Sequence, residues 1–222
     1  MSANVRTGAA GTMAALVVPL AIAVACWFVS VRQMAGMDMG VATQLGSFAF
    51  FIALWVPMMA ATMLPGAVPA VLRRVHAGGR VLGAVPVFVG AYLAVWALVG
   101  AAVYVLYRPH GPIAAGVVAI AAGIYELTPL KRGCRRCCRE GERSGFAFGL
   151  YCMGSSIGLM LLLVALGAMS VVWMSVIAAI ALVQKLIPPR VAIDVPLAVV
   201  LVGLGVLIIL APSSIPGLTP PM

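Results

Sequence analysis

Val81-Leu-Gly-Ala-Val-Pro-Val-Phe-Val-Gly-Ala-Tyr-Leu-Ala-Val-Trp-Ala-Leu-Val-Gly-Ala-Ala-Val-Tyr-Val-Leu-Tyr107 runs for 27 residues without a charged side chain, and Arg80 and Arg108 close it at either end. About 20 apolar residues in an α-helix cross the hydrocarbon core of a bilayer, so this stretch reads as a transmembrane helix. Similar stretches lie at roughly 9–31, 43–72, 113–130, 145–167, 169–187 and 193–212. They predict an all-α fold: a polytopic membrane bundle of about seven transmembrane helices, forming one domain over residues 1–222. The chain as a whole is 64% hydrophobic and 9% charged, with a mean hydropathy of +1.17, which a soluble protein of this length does not tolerate. No soluble domain of about 50 residues or more fits in the connections. Binding or chemistry therefore belongs inside the bundle or on short loops.

Orientation follows from Lys and Arg, which are retained on the cytoplasmic side. Arg6, Arg73, Arg74, Arg80, Lys131, Arg132, Arg135, Arg136, Arg139, Arg143, Lys185 and Arg190 fall on one side, and only Arg32 and Arg108 on the other. This asymmetry predicts a cytosolic N-terminus and an external C-terminus in a bacterial inner membrane. The formal charge of +9 is then a topology signal, not a nucleic-acid surface, although the cluster at 131–143 also suits anionic lipid head groups. Ala23-Val-Ala25-Cys26 loosely resembles a lipoprotein processing site. The length of that apolar stretch, and the six that follow it, favour a retained first span.

Pro57, Pro65 and Pro69 each remove a backbone donor from the second span and predict a kink or break there. Irregular backbone at membrane depth requires protein or water to satisfy it, which directs this span toward the bundle interior. Gly145-Phe-Ala-Phe-Gly149 and Gly154-Ser-Ser-Ile-Gly158 place glycines four apart in the fifth span and predict close helix contacts. The short connection Gly167-Ala-Met169-Ser170 makes the fifth and sixth spans an antiparallel hairpin. Trp27, Trp173, Tyr104 and Tyr107 sit near span ends and read as interfacial anchors.

Sulfur is divided between the two sides. Met34, Met37 and Met39, with Asp38 among them, form a loop at the outer mouth. Thioethers suit copper(I), and they stay available in an oxidising compartment where thiols form disulfides. A flexible apolar loop near lipid accounts for the same residues. Trp55, Met59 and Met63 recur every fourth position on one face of the second span, with Met58 beside them, as a packing stripe or a conduit. On the inner side, Cys134, Cys137 and Cys138 stand at i, i+3 and i+4, so a helix brings three thiols to one side. The surrounding Lys and Arg favour thiolate, the metal-binding form. Thiolates hold copper(I) more strongly than thioethers, which gives a downhill path inward. Cys134, Cys137 and Cys138 with His76 also make a possible structural zinc set. Cys134-Arg-Arg-Cys137 is alternatively a redox pair, without the strand and helix that usually frame one.

Glu126 is an acidic residue near the cytosolic end of the fourth span, either a buried functional acid or a side chain reaching the interface beside Lys131. Cys152 lies at comparable depth, with Ser155 and Ser156 one turn deeper, and a polar pocket with Glu126 and Tyr125 is conceivable.

Four ordered runs carry a family resemblance. They are Trp55-Val-Pro-Met58-Met59-Ala-Ala-Thr-Met63-Leu64-Pro65, Tyr125-Glu126-Leu-Thr128-Pro129-Leu-Lys131-Arg132-Gly-Cys134, Gly149-Leu-Tyr151-Cys152-Met-Gly154, and Trp173-Met174. Together they resemble a bacterial family of predicted metal-binding integral membrane proteins, a domain-of-unknown-function family. The resemblance extends from the Met loop to Pro216-Gly-Leu-Thr219-Pro-Pro-Met222 and implies metal binding in a membrane. In the family pattern the positions of Cys134 and Cys138 are Cys and that of Cys137 is His, so one soft-metal ligand replaces another. Two adjacent cysteines are common where this chain has Ser155 and Ser156, and Gln is common in place of Glu126.

The expected function is binding of a soft transition metal, copper(I) first and zinc second, with movement across the inner membrane or hand-over to a periplasmic or cytosolic metal-handling protein. The candidate ligands are Met34, Met37, Asp38, Met39, Met59, Met63, Glu126, Cys134, Cys137, Cys138 and Cys152. No nucleotide-binding loop, nucleophile elbow or metalloprotease motif is present, so an ATP-driven pump is disfavoured and no catalytic residue is assigned. The alternatives are a membrane enzyme or oxidoreductase subunit built around Glu126 and Cys152, and a scaffold for copper-enzyme maturation.

Overall fold

The computed structural model of the chain describes residues 2–34, 46–76, 81–108, 111–140, 144–167, 170–187 and 191–212. Among these residues there are eight helices and no strands: α1 (Ser2–Met34), α2 (Phe48–His76), α3 (Val81–Leu106), α4 (Pro112–Glu126), α5 (Pro129–Glu140), α6 (Gly145–Gly167), α7 (Val171–Leu186) and α8 (Val191–Leu210). Every apolar stretch of the sequence is a helix. By length and composition, the apolar parts of α1, α2, α3 and α6 can each cross a membrane, and α4 with α5 makes a fifth if the bent pair is one span. α7 and the apolar part of α8 are shorter.

The fourth stretch departs from expectation. It ends at Glu126 instead of 130, and α5 turns away from α4 by 64°. Thr128 and Pro129 cause the turn. Proline suits the first helical position because its missing N–H has no partner there anyway. The Thr128 hydroxyl donates to the Tyr125 carbonyl at 2.8 Å and accepts from the Lys131 N–H at 3.4 Å. One side chain thus closes α4 and opens α5. Lys131, Arg132, Arg135, Arg136 and Arg139 fall within the twelve residues of α5, in contrast to the apolar α4 before it.

α2 is the inner helix, as the prolines suggested, with Trp55, Met58, Met59, Met63 and Leu64 all buried. The expected break is not seen: α2 stays helical through Pro57, Pro65 and Pro69. Packing on several sides supports such a helix, and Thr62 adds hydrogen bonds to the carbonyls of Met58 at 2.9 Å and Met59 at 3.3 Å. α1 covers one flank of α2 with a buried face of Gly11, Ala15, Pro19, Ala23, Ser30 and Met34. At one end of this pair the Thr12 hydroxyl lies 3.2 Å from His76 Nε2.

The glycines of α6 make the close contacts their spacing predicts. A Cβ on Gly145 would stand 2.3 Å from the Phe88 carbonyl oxygen, and one on Gly149 would stand 2.9 Å from Val95, so α3 lies against this face. Gly154 and Gly158 serve α5 and α4: a Cβ would meet Cys134 Sγ at 2.7 Å and Tyr125 Cδ1 at 3.2 Å respectively. A second seam, not read from the sequence, joins α4 to α8. There a Cβ on Gly116 would stand 2.7 Å from the Gly205 carbonyl oxygen and one on Gly123 2.9 Å from that of Ala198. Tyr104, expected at the interface, donates to the Gly46 carbonyl at 3.0 Å and so holds the start of α2 against α3.

Candidate metal centre

The position of α5 is set by its buried charges. Lys131 and Arg135, four residues apart and therefore on one face, are 1% and 5% exposed. Burying a cation is costly unless it is paired and hydrogen-bonded. Glu126 pairs with Lys131, and Gln184 joins the two by accepting from Lys131 Nζ at 3.1 Å and donating to Glu126 Oε2 at 2.6 Å. Arg135 reaches Asp194 Oδ1 at 2.5 Å and donates to the Gln184 carbonyl at 2.7 Å and to that of Ile187 at 3.3 Å. Arg132 Nε approaches the other Asp194 oxygen at 3.9 Å. These contacts fasten α5 to α4, α7 and α8. Asp194 and Gln184 were absent from the sequence reading. The signal for Asp194 was available, since a second acid inside an apolar stretch calls for a buried cation.

With that face fixed, Cys138, one turn beyond Arg135, enters a cavity of about 140 Å³ between α2, α5, α6 and α7. Cys152, Ser155, Gly66, Arg73 and Lys185 also line it. Cys152 is fully buried, and its Sγ lies 3.1 Å from Tyr92 Oη on α3. Tyr92 Oη is also 3.5 Å from the Met63 carbonyl. Arg73 donates to the Cys138 carbonyl at 3.3 Å. Lys185 Nζ reaches past the cavity to Met63 Sδ at 3.1 Å. Two thiols from different helices thereby line one cavity, and the lysine that lines it with them reaches a thioether on a third helix.

The expectation that surrounding cations favour thiolate is corrected on α5. Burial pushes the Cys138 thiol well above its usual range, the neighbouring Cys152 adds to the shift, and Lys185 only partly opposes it. Burial, with Cys137 contributing, raises Cys134 too. Metal binding at Cys138 must therefore release a proton.

The remaining candidates are dispersed. Among the described residues no three side chains of His, Cys, Asp and Glu gather where they could hold one ion. Cys134 abuts Gly154, Cys137 is half-buried and does not line the cavity, and only Cys138 of the three enters it. His76 contacts Thr12 and is not in a group with the cysteines. Glu126 is held by Lys131 and Gln184, Tyr125 donates to the Gly154 carbonyl at 2.6 Å, and the polar partner of Cys152 is Tyr92, so the pocket imagined around Glu126, Tyr125 and Cys152 is not assembled. Met59 is fully buried one turn before Met63, and Met34 is buried at the end of α1. Met37, Asp38 and Met39 lie outside the described residues. A larger cavity of about 680 Å³ between α3, α4 and α6 has no thiol or carboxylate in its lining.

Thiol, thiol and thioether are the donor chemistry of copper(I). Residues 52–208 match the family described as PpoB2, copper chaperone. No curated protein and no solved structure matches the chain. The matched region runs from the first turns of α2 nearly to the end of α8 and includes Met63, Cys138, Cys152 and Lys185. The chain belongs to the PpoB2 copper chaperone family.

Proposed function

We propose that the chain is a membrane-embedded copper(I) carrier that binds the ion between Cys138, Cys152 and Met63 and hands it to a protein partner. The observation that carries this reading is that two thiols from different helices line one small cavity, and a lysine of the same lining reaches a thioether on a third helix. Copper(I) accepts soft donors at low coordination number, so this set suffices for it, whereas structural zinc sites are usually four-coordinate with nitrogen and sulfur ligands.

The cavity opens among Arg73, Arg135 and Arg139, residues that the charge asymmetry assigns to the cytosolic side of an inner membrane. In this reading α7 and α8 complete seven crossings, and Met34, Met37, Asp38 and Met39 receive or release the ion on the outer side. Met59 continues the buried thioether row of α2 between the two. Cys134 and Cys137, on the same helix as Cys138, serve exchange with a metal-handling protein in the cytosol. The ion moves by ligand exchange toward stronger donors, with no nucleotide required.

The test is anaerobic purification in detergent, loading with copper(I), and metal analysis of the wild type beside Cys138→Ser, Cys152→Ser and the double variant. About one copper per chain, lost in the double variant, supports the carrier. Undiminished copper in the double variant refutes the site. Flux into liposomes, compared with transfer to an added copper(I) acceptor, then separates transport from hand-over.

A further inference from the structure

Lys185 makes an unusual contact for an ammonium. Its ordinary partners are carboxylates and carbonyls, whereas a thioether is a weak acceptor. Yet Nζ lies 3.1 Å from Met63 Sδ, and no carboxylate lines the cavity that the side chain crosses. The path is built for it. The stem lies against the bare backbone of Gly66, where a Cβ would stand 2.2 Å from Lys185 Cδ and 3.3 Å from both Cε and Nζ. Any residue other than glycine at 66 would occupy the slot that lets this lysine reach the thioether.

We infer that Lys185 is a counter-charge of the metal centre and favours a monovalent soft cation over a divalent one. The inference rests on the copper reading of Cys138 and Cys152. When copper(I) binds, each thiol gives its proton to solvent and forms a sulfur–copper bond. Two thiolates and one monovalent ion make a unit of charge −1, which the Lys185 ammonium offsets together with Arg73, Arg135 and Arg139, the other cations of the lining. A divalent ion on the same two thiolates is already neutral, and the half-buried Lys185 and the arginines of the lining then face no net negative charge, which a low-dielectric site penalises. The same ammonium contacts Met63 Sδ, a neutral donor that leaves the charge balance unchanged.

Competition titrations with chromophoric chelators, in detergent and without oxygen, test this with copper(I) and zinc(II) as the probes. The proteins compared are the wild type, Lys185→Gln, Lys185→Arg and the Cys138→Ser/Cys152→Ser double variant, with thermal melting of each. Lys185→Gln removes the charge without adding sulfur. Its copper(I) affinity is expected to fall by about tenfold or more and its zinc(II) affinity to rise, so the preference narrows by both changes. Lys185→Arg, which keeps the charge, should stay near the wild-type preference, an outcome that loss of packing alone does not produce. If Lys185→Gln does not fold, Lys185→Leu is read in the same way. An unchanged preference in the neutral variant, with both metals lost in the double cysteine variant, overturns the role of Lys185 and leaves the copper site standing. Copper(I) binding that survives the double cysteine variant overturns the site itself and the inference with it.

Discussion

Arg135 and Asp194 face each other at 2.5 Å, 5% and 1% exposed, and this pair ties the cysteine-bearing α5 to α8 across 59 residues of sequence. Removing one partner of a buried pair leaves the other uncompensated, at a cost of about 3–5 kcal/mol. Asp194→Ala should therefore lower the thermal midpoint in detergent sharply and weaken copper(I) binding, although Asp194 is no ligand. Asp194→Asn, which keeps an acceptor, should lose less. Equal melting of Asp194→Ala and the wild type would show that α5 is held by something else.

Tyr92 places its hydroxyl 3.1 Å from Cys152 Sγ inside the bundle. A hydrogen bond of this kind contributes about 1 kcal/mol net. Tyr92→Phe keeps the ring and its packing, so we expect a small loss of stability together with weaker copper(I) retention. Stopped-flow transfer of copper(I) to a chelator should be faster in the variant. A transfer rate equal to that of the wild type would detach Tyr92 from the site.

Met63→Leu removes sulfur while nearly conserving volume, and such swaps usually cost less than about 1.5 kcal/mol. Stability should be close to that of the wild type. X-ray absorption at the copper edge should then report one sulfur neighbour fewer, with a correspondingly weaker affinity. Identical spectra would mean that copper(I) is held by the two thiols alone.

Gly154 gives Cys134 its place, since a Cβ there would stand 2.7 Å from the sulfur. Gly154→Ala must move either the thiol or the helix that carries it, at a typical cost of about 1–3 kcal/mol. Cys134 should become more reactive toward a small alkylating reagent, as peptide mass mapping can follow. Unchanged labelling at Cys134, with Cys137 as the internal comparison, would show that α5 absorbs the methyl without shifting.

The helices other than α5 were legible because each is announced by a long apolar run, and the α6 glycines named their contacts because four-residue spacing marks one helix face. The bend at Thr128 was also written in the chain, as a capping threonine followed by a proline, although the apolar stretch before it runs on past Glu126 into Leu127. The site was legible in part. Composition identified Cys138, Cys152 and Met63 as soft donors, yet nothing local says that residues 138 and 152 line one cavity or that a lysine of that cavity reaches residue 63, because that depends on how four helices pack. Three thiols on one helix looked like a set. The structure divides them, since the face of α5 is chosen by Lys131 and Arg135 seeking buried acids, and Cys138 follows that choice while Cys137 does not. Lys185 was read as one more cytosolic charge, and its meaning comes only from the glycine opposite it.

The shared hydroxyl of Thr128, which ends one helix and begins the next, gives the metal centre a phase. Each residue of an α-helix advances about 100° around its axis. One residue inserted or deleted between Thr128 and Cys138 would keep every ligand in the chain and still turn the thiol by over a quarter of a circle, out of reach of Cys152. The number of residues from the bend to Cys138 therefore matters to the proposed ligand as much as its sulfur does.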